Sequence, residues 1–418
     1  MDILVVGSGG REHAICHFLL KSRSVNKLYC APGNGGIGSI ADCVGIGASD
    51  IDGMVAFAVC NAIDLVVVAP DDPLALGMVD ALELAGVRAF GPRKDAAIIE
   101  SSKVFSKKLM KKYGIPTARF ETFNDIDSAT AYIRANPGPI VVKADGLALG
   151  KGVVVAPDSD SAIEAARSMM LDKRFGDSGA RIVIEEYMTG PEVTVLAFTD
   201  GLTILPMLSS QDHKRAYTGD LGPNTGGMGA FCPSPNYTDE IARICMDTIF
   251  RPTIDAMRKE DRLFKGVIYF GLMLTKDGPR VVEYNARFGD PEAQVVLSML
   301  ENDLTEIMDA IVDERLGDLK LIYRDGFACC VVMASGGYPD KYDTGFTIKG
   351  LENIPSDIRV FHAGTTLRDG AVITSGGRVL GVTALGESLA SASARAYEGV
   401  KFINFENAYY RTDIGRKA

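Results

Sequence analysis

The stretch EYNARFGDPEAQ, Glu283 to Gln294, decides how the chain is read, because it sets polar side chains on one face of a strand and then turns at once into a helix. It follows the apolar run GVIYFGLML (266–274) and the turn-bearing segment KDGPRVV (276–282), so the two halves read as a β-hairpin with side chains alternating between faces. On that alternation Glu283, Asn285 and Arg287 point the same way. A carboxylate and an amide oxygen are the hard ligands that Mg²⁺ prefers, and an arginine two residues on can fork onto a carboxylate or phosphate. The neighbouring strand residues are apolar on both faces, as in a covered sheet, which favours a site over a solvated surface. Asp290-Pro291 has the form of an N-cap followed by a first helical position, so Asp290 and Glu292 read as starting a helix and favouring its positive end.

Composition sets the wider frame. A chain of 418 residues exceeds what one hydrophobic core supports, so roughly two to four domains are expected. The 47% hydrophobic and 23% charged content is that of a globular protein rather than a disordered one. A net charge of −10 argues against nucleic acid as a general partner, since phosphate backbones require a basic surface. Nor does any run of about 18 apolar residues suggest a membrane span. Met1-Asp2-Ile3 opens straight into a strand, which points to a cytoplasmic protein. The eight cysteines show no C-x-x-C pair, so free thiols are expected rather than a zinc site. His13 and His17 share a helix turn, a spacing read as incidental.

Short apolar strands at 2–7, 28–30, 64–69 and 87–90 alternate with helical stretches at 11–21, 52–60 and 74–85, the rhythm of a doubly wound parallel sheet. A Lys-rich helix at 101–112 leads to strands near 140–143, 152–156 and 182–187. Hairpins and helices fill 190–315, and a Gly-rich unit of short strands with a helix at 387–400 closes the chain. The predicted class is α/β and α+β, multidomain.

Two glycine segments bear on ligands. In VVGSGGREHA (5–14), Gly7 and Gly9 fit a dinucleotide fingerprint, but Glu12 stands where its third glycine belongs, and the next strand ends in Cys30-Ala31-Pro32 without the acid that would hold a ribose. NAD is therefore disfavoured. What is left is a glycine turn feeding a helix N-terminus, a ready anion site, with Asn34 of APGNGGIG (31–38) on the same side of the sheet. GLALGKG (146–152) lacks Walker A spacing and lies between strands, yet such a loop can fold its N–H groups over a triphosphate, with Gly150 and Gly152 as candidates and Lys143 at its base. Lys103 is a second candidate for the phosphates, and Lys107 competes with it one turn later.

These segments, with SSKVFSKKLMKKYGIPTA (101–118), VVKADGLALGKGVVVA (141–156), SSQDHKRAYTGDLGPNTGGMGAF (209–231), ASGGYP (334–339) and YRTDIG (410–415), resemble in order the glycinamide ribonucleotide synthetase family of the ATP-grasp superfamily. The resemblance implies a Rossmann-like substrate domain at 1–100, an ATP-grasp domain at 101–318 with a small mobile lid at about 117–188, and a β-rich C-terminal domain at 319–418. It implies ligation of glycine to 5-phosphoribosylamine through glycyl phosphate in purine biosynthesis, with ATP and Mg²⁺ or Mn²⁺, by a protein more readily monomeric than oligomeric. Glu283 and Asn285 would hold the metal, and Arg287, Asp212 and Lys143 would be catalytic. Glu185 would face adenine, with Glu186 as its alternative after a one-residue slip; Tyr187 and Met188 would supply edge contacts and Glu192 would hold the ribose. Gly9, Gly10, Arg11 and Asn34 would take the phosphorylated amine. The loop 211–230, with Asp212, Lys214, Gly226 and Gly227, would close over the acyl phosphate and exclude water. The competing readings are a nicotinamide oxidoreductase, a non-catalytic nucleotide-binding regulator, and a sister ATP-grasp ligase or biotin carboxylase.

Overall fold

The computed structural model describes residues 1–147, 152–172 and 176–416. Its N-terminal sheet is five-stranded and parallel, ordered Asp42–Cys43, Lys27–Pro32, Asp2–Gly7, Leu65–Val68, Ala89–Phe90. The central strands are buried along almost their whole length, because helices cover both faces and leave no side for alternating polar residues. The helix read over 74–85 is two, Asp71–Leu76 and Met78–Leu84. Gly77 separates them at φ +100°, a conformation that ends the first helix in the left-handed region.

Two antiparallel sheets follow. The smaller, ordered Phe120–Phe123, Ile182–Glu186, Ile140–Ala144, Val153–Ala156, packs the helices Ile126–Ala135 and Ser159–Met170 around a core of its own. The larger is Ile204–Pro206, Glu192–Thr199, Gly266–Thr275, Gly278–Asn285. Between them the chain crosses at 187–191, where Gly190 passes so close to the Leu274 carbonyl that a Cβ would lie 2.2 Å from its oxygen. The Lys-rich helix runs Lys103–Tyr113, with the Ser102 hydroxyl accepting from the Phe105 N–H as its cap.

The larger sheet does not stand apart from the N-terminal one. Phe288, 2% exposed, has its ring centre 6.5 Å from that of Phe90 and 5.9 Å from that of Phe198, so one side chain bridges the two sheets. The last sheet is also not built from the last hundred residues alone. Its order is Gln211–Asp212, Gly229–Cys232, Phe327–Ala334, Arg378–Gly386, Arg359–His362, with the helix Leu389–Phe402 across it. The loop read at 211–230 therefore supplies two strands to that sheet.

Between those strands the same segment forms a hairpin, Arg215–Tyr217 with Leu221–Asn224. The fully buried Arg411 clamps it, ion-paired to Asp220 at 2.7 Å and Asp413 at 2.8 Å, while Asp413 accepts from the Gly219 N–H at 2.9 Å. The segment expected to close over the acyl phosphate thus contains a docked hairpin.

Candidate active site

The strand Gly278–Asn285 carries a bulge, because Gly271 pairs with Glu283 and Leu272 with Val281. Val282 is the extra residue, and its carbonyl accepts from Lys143 Nζ at 3.0 Å. Tyr284 turns into the core and places its hydroxyl 2.9 Å from that of Thr253. Glu283 and Asn285 project from the other face, partly exposed. Arg287 lies past the strand's end, at the turn that Phe288 anchors.

Glu100 holds that turn. Its carboxylate accepts from the Ala286 N–H at 2.6 Å and pairs with Arg287 Nη2 at 3.0 Å, while Arg287 Nη1 donates to the Phe288 carbonyl at 3.2 Å. Arg287 Nε is buried without a partner among the described residues. Burial opposes the charge on Arg287, but Glu100 and Asp71 more than offset it and raise its pKa; Glu100 is raised by the same burial.

Lys214 reaches in from the docked segment, 3.4 Å from Glu283 and 3.6 Å from Glu192. Their side chains keep 33%, 29% and 49% of their exposure, so the cluster lines an open cleft rather than a sealed core. Burial works against ionising Glu283, yet Lys214, Lys143 and Lys103 overcome it and lower the carboxyl to about 2. Asp212 goes the other way. Burial pushes it up to about 7, with Glu292, Glu192 and Glu283 adding to the effect against Lys214. One carboxylate stays ionised and its neighbour sits near neutrality, the divergence expected of groups with different tasks.

Across the cleft, Glu185 lies between two lysines: Oε1 is 3.0 Å from Lys143 Nζ and Oε2 is 3.0 Å from Lys107 Nζ. Lys143 and Lys107 are 4% and 2% exposed, so neither is a solvated helix or strand lysine. Lys107 also donates to the Thr117 hydroxyl at 2.7 Å, and burial lowers it to about 8 against the pull of Glu185. Lys103 donates to the Gly146 carbonyl at 3.0 Å. Glu186 faces away and pairs with Arg119 at 2.7 Å and Arg280 at 3.2 Å, so only Glu185 of the two acids meets the lysines. Tyr187 and Met188 lie in the connector between the two antiparallel sheets, Tyr187 being 47% exposed. Gly152 accepts from the Ala144 N–H at 2.8 Å, and Gly150 lies outside the described residues.

The glycine turn is more self-contained. Glu12 folds back so that Oε2 accepts from the Gly9 N–H at 2.6 Å, while Oε1 meets Arg11 Nε at 2.5 Å. Asn34 spends both ends of its amide on backbone, donating to the carbonyls of Ser8 and His362 and accepting from Gly36 and Ile37. Its amide therefore staples loops together, where hydrogen bonds to a ligand had been expected. Gly10 faces Gln294 and Asp290. His13 is likewise structural, its Nδ1 accepting from the His362 N–H at 2.8 Å.

Asp290 does not cap the helix that follows it. Pro291 occupies the N-cap position of the helix Glu292–Met299, and the Asp290 carboxylate instead accepts from Gln294 Nε2 at 2.7 Å and from Arg378 at 3.2 Å. Arg378 also donates to the carbonyls of Gly226 and Asp290, drawing the C-terminal sheet and the glycine pair Gly226-Gly227 onto this turn. Glu292, expected to start a helix, is the first residue of the helix Glu292–Met299, and it is 3% exposed beside Tyr269 and Asp212, where burial raises it. Glu100, Lys107 and Arg378 were missed or ranked second, since each acts on a partner distant in sequence. For Glu100 the only local sign was an acid ending a helix just before a second helix begins.

The comparisons with known proteins agree along the chain. Residues 1–100, 101–293 and 328–417 match the models for Phosphoribosylglycinamide synthetase N domain, ATP-grasp (A) domain and C domain. A relative from Caldanaerobacter subterraneus, phosphoribosylamine–glycine ligase, is 47% identical over 414 residues, covering 99% of each chain. The trifunctional purine biosynthetic protein adenosine-3 of Gallus gallus is 48% identical over 422 residues, covering all of this chain and 42% of that one. The crystal structure of phosphoribosylamine–glycine ligase from Thermotoga maritima superposes with a TM-score of 0.84 at 32% identity, covering 99% of this chain and 100% of that one.

Proposed function

Because the chain belongs to the phosphoribosylglycinamide synthetase family, we propose that it joins glycine to 5-phosphoribosylamine at the expense of ATP, giving glycinamide ribonucleotide, ADP and phosphate. It is an ATP-grasp ligase of purine biosynthesis. The observation that carries the site assignment is the convergence of Lys143, Lys214 and Arg287 on the end of the strand Gly278–Asn285, beside an ionised Glu283 and an Asp212 near neutrality.

In the chemistry we infer, a glycine carboxylate oxygen forms a bond to the γ-phosphorus of ATP as the bond to ADP breaks. The amine of phosphoribosylamine then attacks the glycyl carbonyl and expels phosphate. Two anions must approach in the first step, so the three cations are assigned to positioning and charge neutralisation. Arg287, held by Glu100, keeps a guanidinium in one orientation for glycyl carboxylate or phosphoryl oxygens. Asp212, at about 7, suits a group that takes the proton the attacking amine must lose. The connector at Tyr187 and Met188 is assigned to adenine, Glu192 to ribose, and the Gly9–Arg11 turn to the phosphoribosyl group.

The donors fit a divalent cation. Glu283 stays ionised, and the Asn285 side chain makes no hydrogen bond among the described residues. Among those residues no cage of three or more acid, His or Cys side chains gathers, which suits an ion held partly by nucleotide phosphates, Mg²⁺ or Mn²⁺. When bound, such an ion neutralises phosphate charge. The boundaries 1–100, 101–318 and 319–418 are proposed on the same footing. Water exclusion is assigned to the unit at about 117–188, which has its own core, rather than to the docked hairpin. A cytoplasmic monomer completes the reading.

Phosphate release from ATP tests it. The reading requires release to depend on glycine and phosphoribosylamine supplied together; equal release with either one alone, or with bicarbonate in their place, contradicts it.

A further inference from the structure

At the far end of the helix Gly10–Leu19, three cations gather without an ion pair among the described residues. Lys21 Nζ lies 4.1 Å from the centre of the Phe18 ring, the Arg359 guanidinium 5.9 Å from the same ring, and His17 meets it edge-on at 5.1 Å. Arg359 also approaches the Ser298 hydroxyl at 3.5 Å. Arg324 enters from a third segment, whose backbone N–H donates to the Met299 carbonyl at 3.0 Å.

The groups feel one another. Burial lowers Lys21 to about 8, and Arg359 and Arg324 add to that; Arg359 is lowered by burial and then by Arg324. Among the described residues no carboxylate favours the charged form of Lys21 or Arg359, and none of the three cations forms an ion pair. This is notable in a chain with 54 acidic and 44 basic residues, where acids are in surplus. A cation past a helix C-terminus is favoured by the helix dipole, which accounts for Lys21 alone. Arg324 and Arg359 come from other elements and gain nothing from that dipole, while like charges held close together repel.

We propose that this recess, between the end of the helix Gly10–Leu19, the turn at 298–302 and the strand Arg359–His362, binds a small multiply charged anion of the phosphate class. Two segments converging on the Phe18 ring, with Arg324 of a third beside them, suit a compact ligand, and three cations suit more than one negative charge. The recess is separate from the ATP cleft and about 15 Å along the helix from the glycine turn.

The probe is inorganic pyrophosphate, titrated calorimetrically at matched ionic strength into the full chain, Lys21→Met and Arg324→Gln. Arg324 is exposed, so its variant keeps the test sound should Lys21→Met fold poorly. The ATP cleft is common to all three proteins, and the differences between them report the recess. Each variant is expected to weaken one class of pyrophosphate sites by at least about tenfold while leaving ligase turnover unchanged. Equal pyrophosphate binding in all three proteins overturns the proposal. So does a recess that takes polyglutamate but not pyrophosphate, which would make it a docking point for an acidic polypeptide.

Discussion

The glycine turn at Gly7–Arg11 and the strand end at Glu283–Arg287 hold the same kinds of group, a carboxylate, an arginine and backbone N–H donors, but they use them differently. At the turn the carboxylate of Glu12 already occupies the Gly9 N–H and Arg11, and Asn34 is fully spent on backbone. At the strand end Lys214 meets Glu283 at a loose 3.4 Å, Asn285 makes no side-chain hydrogen bond and Arg287 Nε has no partner, among the described residues. A buried donor without a partner costs free energy, so such capacity persists where a ligand will use it. On this argument the strand end carries the chemistry, and the turn is a preformed frame whose own carboxylate a ligand must displace.

The largest effect is expected from Glu283→Gln, which keeps the shape and removes the ionised carboxylate. Ligation should fall by at least about a hundredfold with the apo-protein still cooperatively folded. Normal activity at ordinary Mg²⁺ would detach the metal from this residue. Next is Arg287→Lys, which keeps a charge and loses the two-pronged guanidinium that Glu100 holds. Turnover should drop at least about tenfold, roughly 1.4 kcal/mol in the barrier, with ATP affinity little changed. A lysine variant with full turnover would reduce Arg287 to a structural partner of Glu100.

A third prediction uses pH. Asp212 is raised in the folded state to about 7 from an ordinary value near 4, so the folded protein binds that proton more tightly than the unfolded chain. Its favourable contribution is present below pH 4 and is lost as the pH rises from about 4 to 7. Asp212→Asn should therefore gain melting temperature relative to the parent at pH 8 but not at pH 4. A difference independent of pH would mean that Asp212 titrates normally. The smallest effect is expected at the turn. Glu12→Gln removes a competing anion, so KM for phosphoribosylamine should fall by no more than about threefold with turnover unchanged. A rise in KM would show that Glu12 shapes the turn rather than blocking it.

Much of this was legible in the sequence because it is periodic or local. Runs such as DILVVG and LVVV announce a covered parallel sheet, and the hairpin before Glu283 announces itself by apolar runs around a turn. What escaped depends on pairing across distance. Nothing near residues 211–232 says that its strands join one beginning at Phe327, and a glycine-rich segment reads as mobile until Arg411 is seen to clamp it. The alternation rule placed Glu283 and Asn285 on one face, but the bulge at Val282 and the end of the strand before Arg287 lie beyond it. The choice between Glu185 and Glu186 was open to a one-residue slip, and only the lysines opposite decide which acid faces the cleft.

The most direct test of the account follows oxygen-18 from the carboxylate of labelled glycine in a single ligation. If glycine attacks ATP to form glycyl phosphate, the phosphate released on amide formation carries label from the glycine carboxylate. Released phosphate free of label, with glycinamide ribonucleotide formed at the normal rate, would contradict the mechanism assigned to this site.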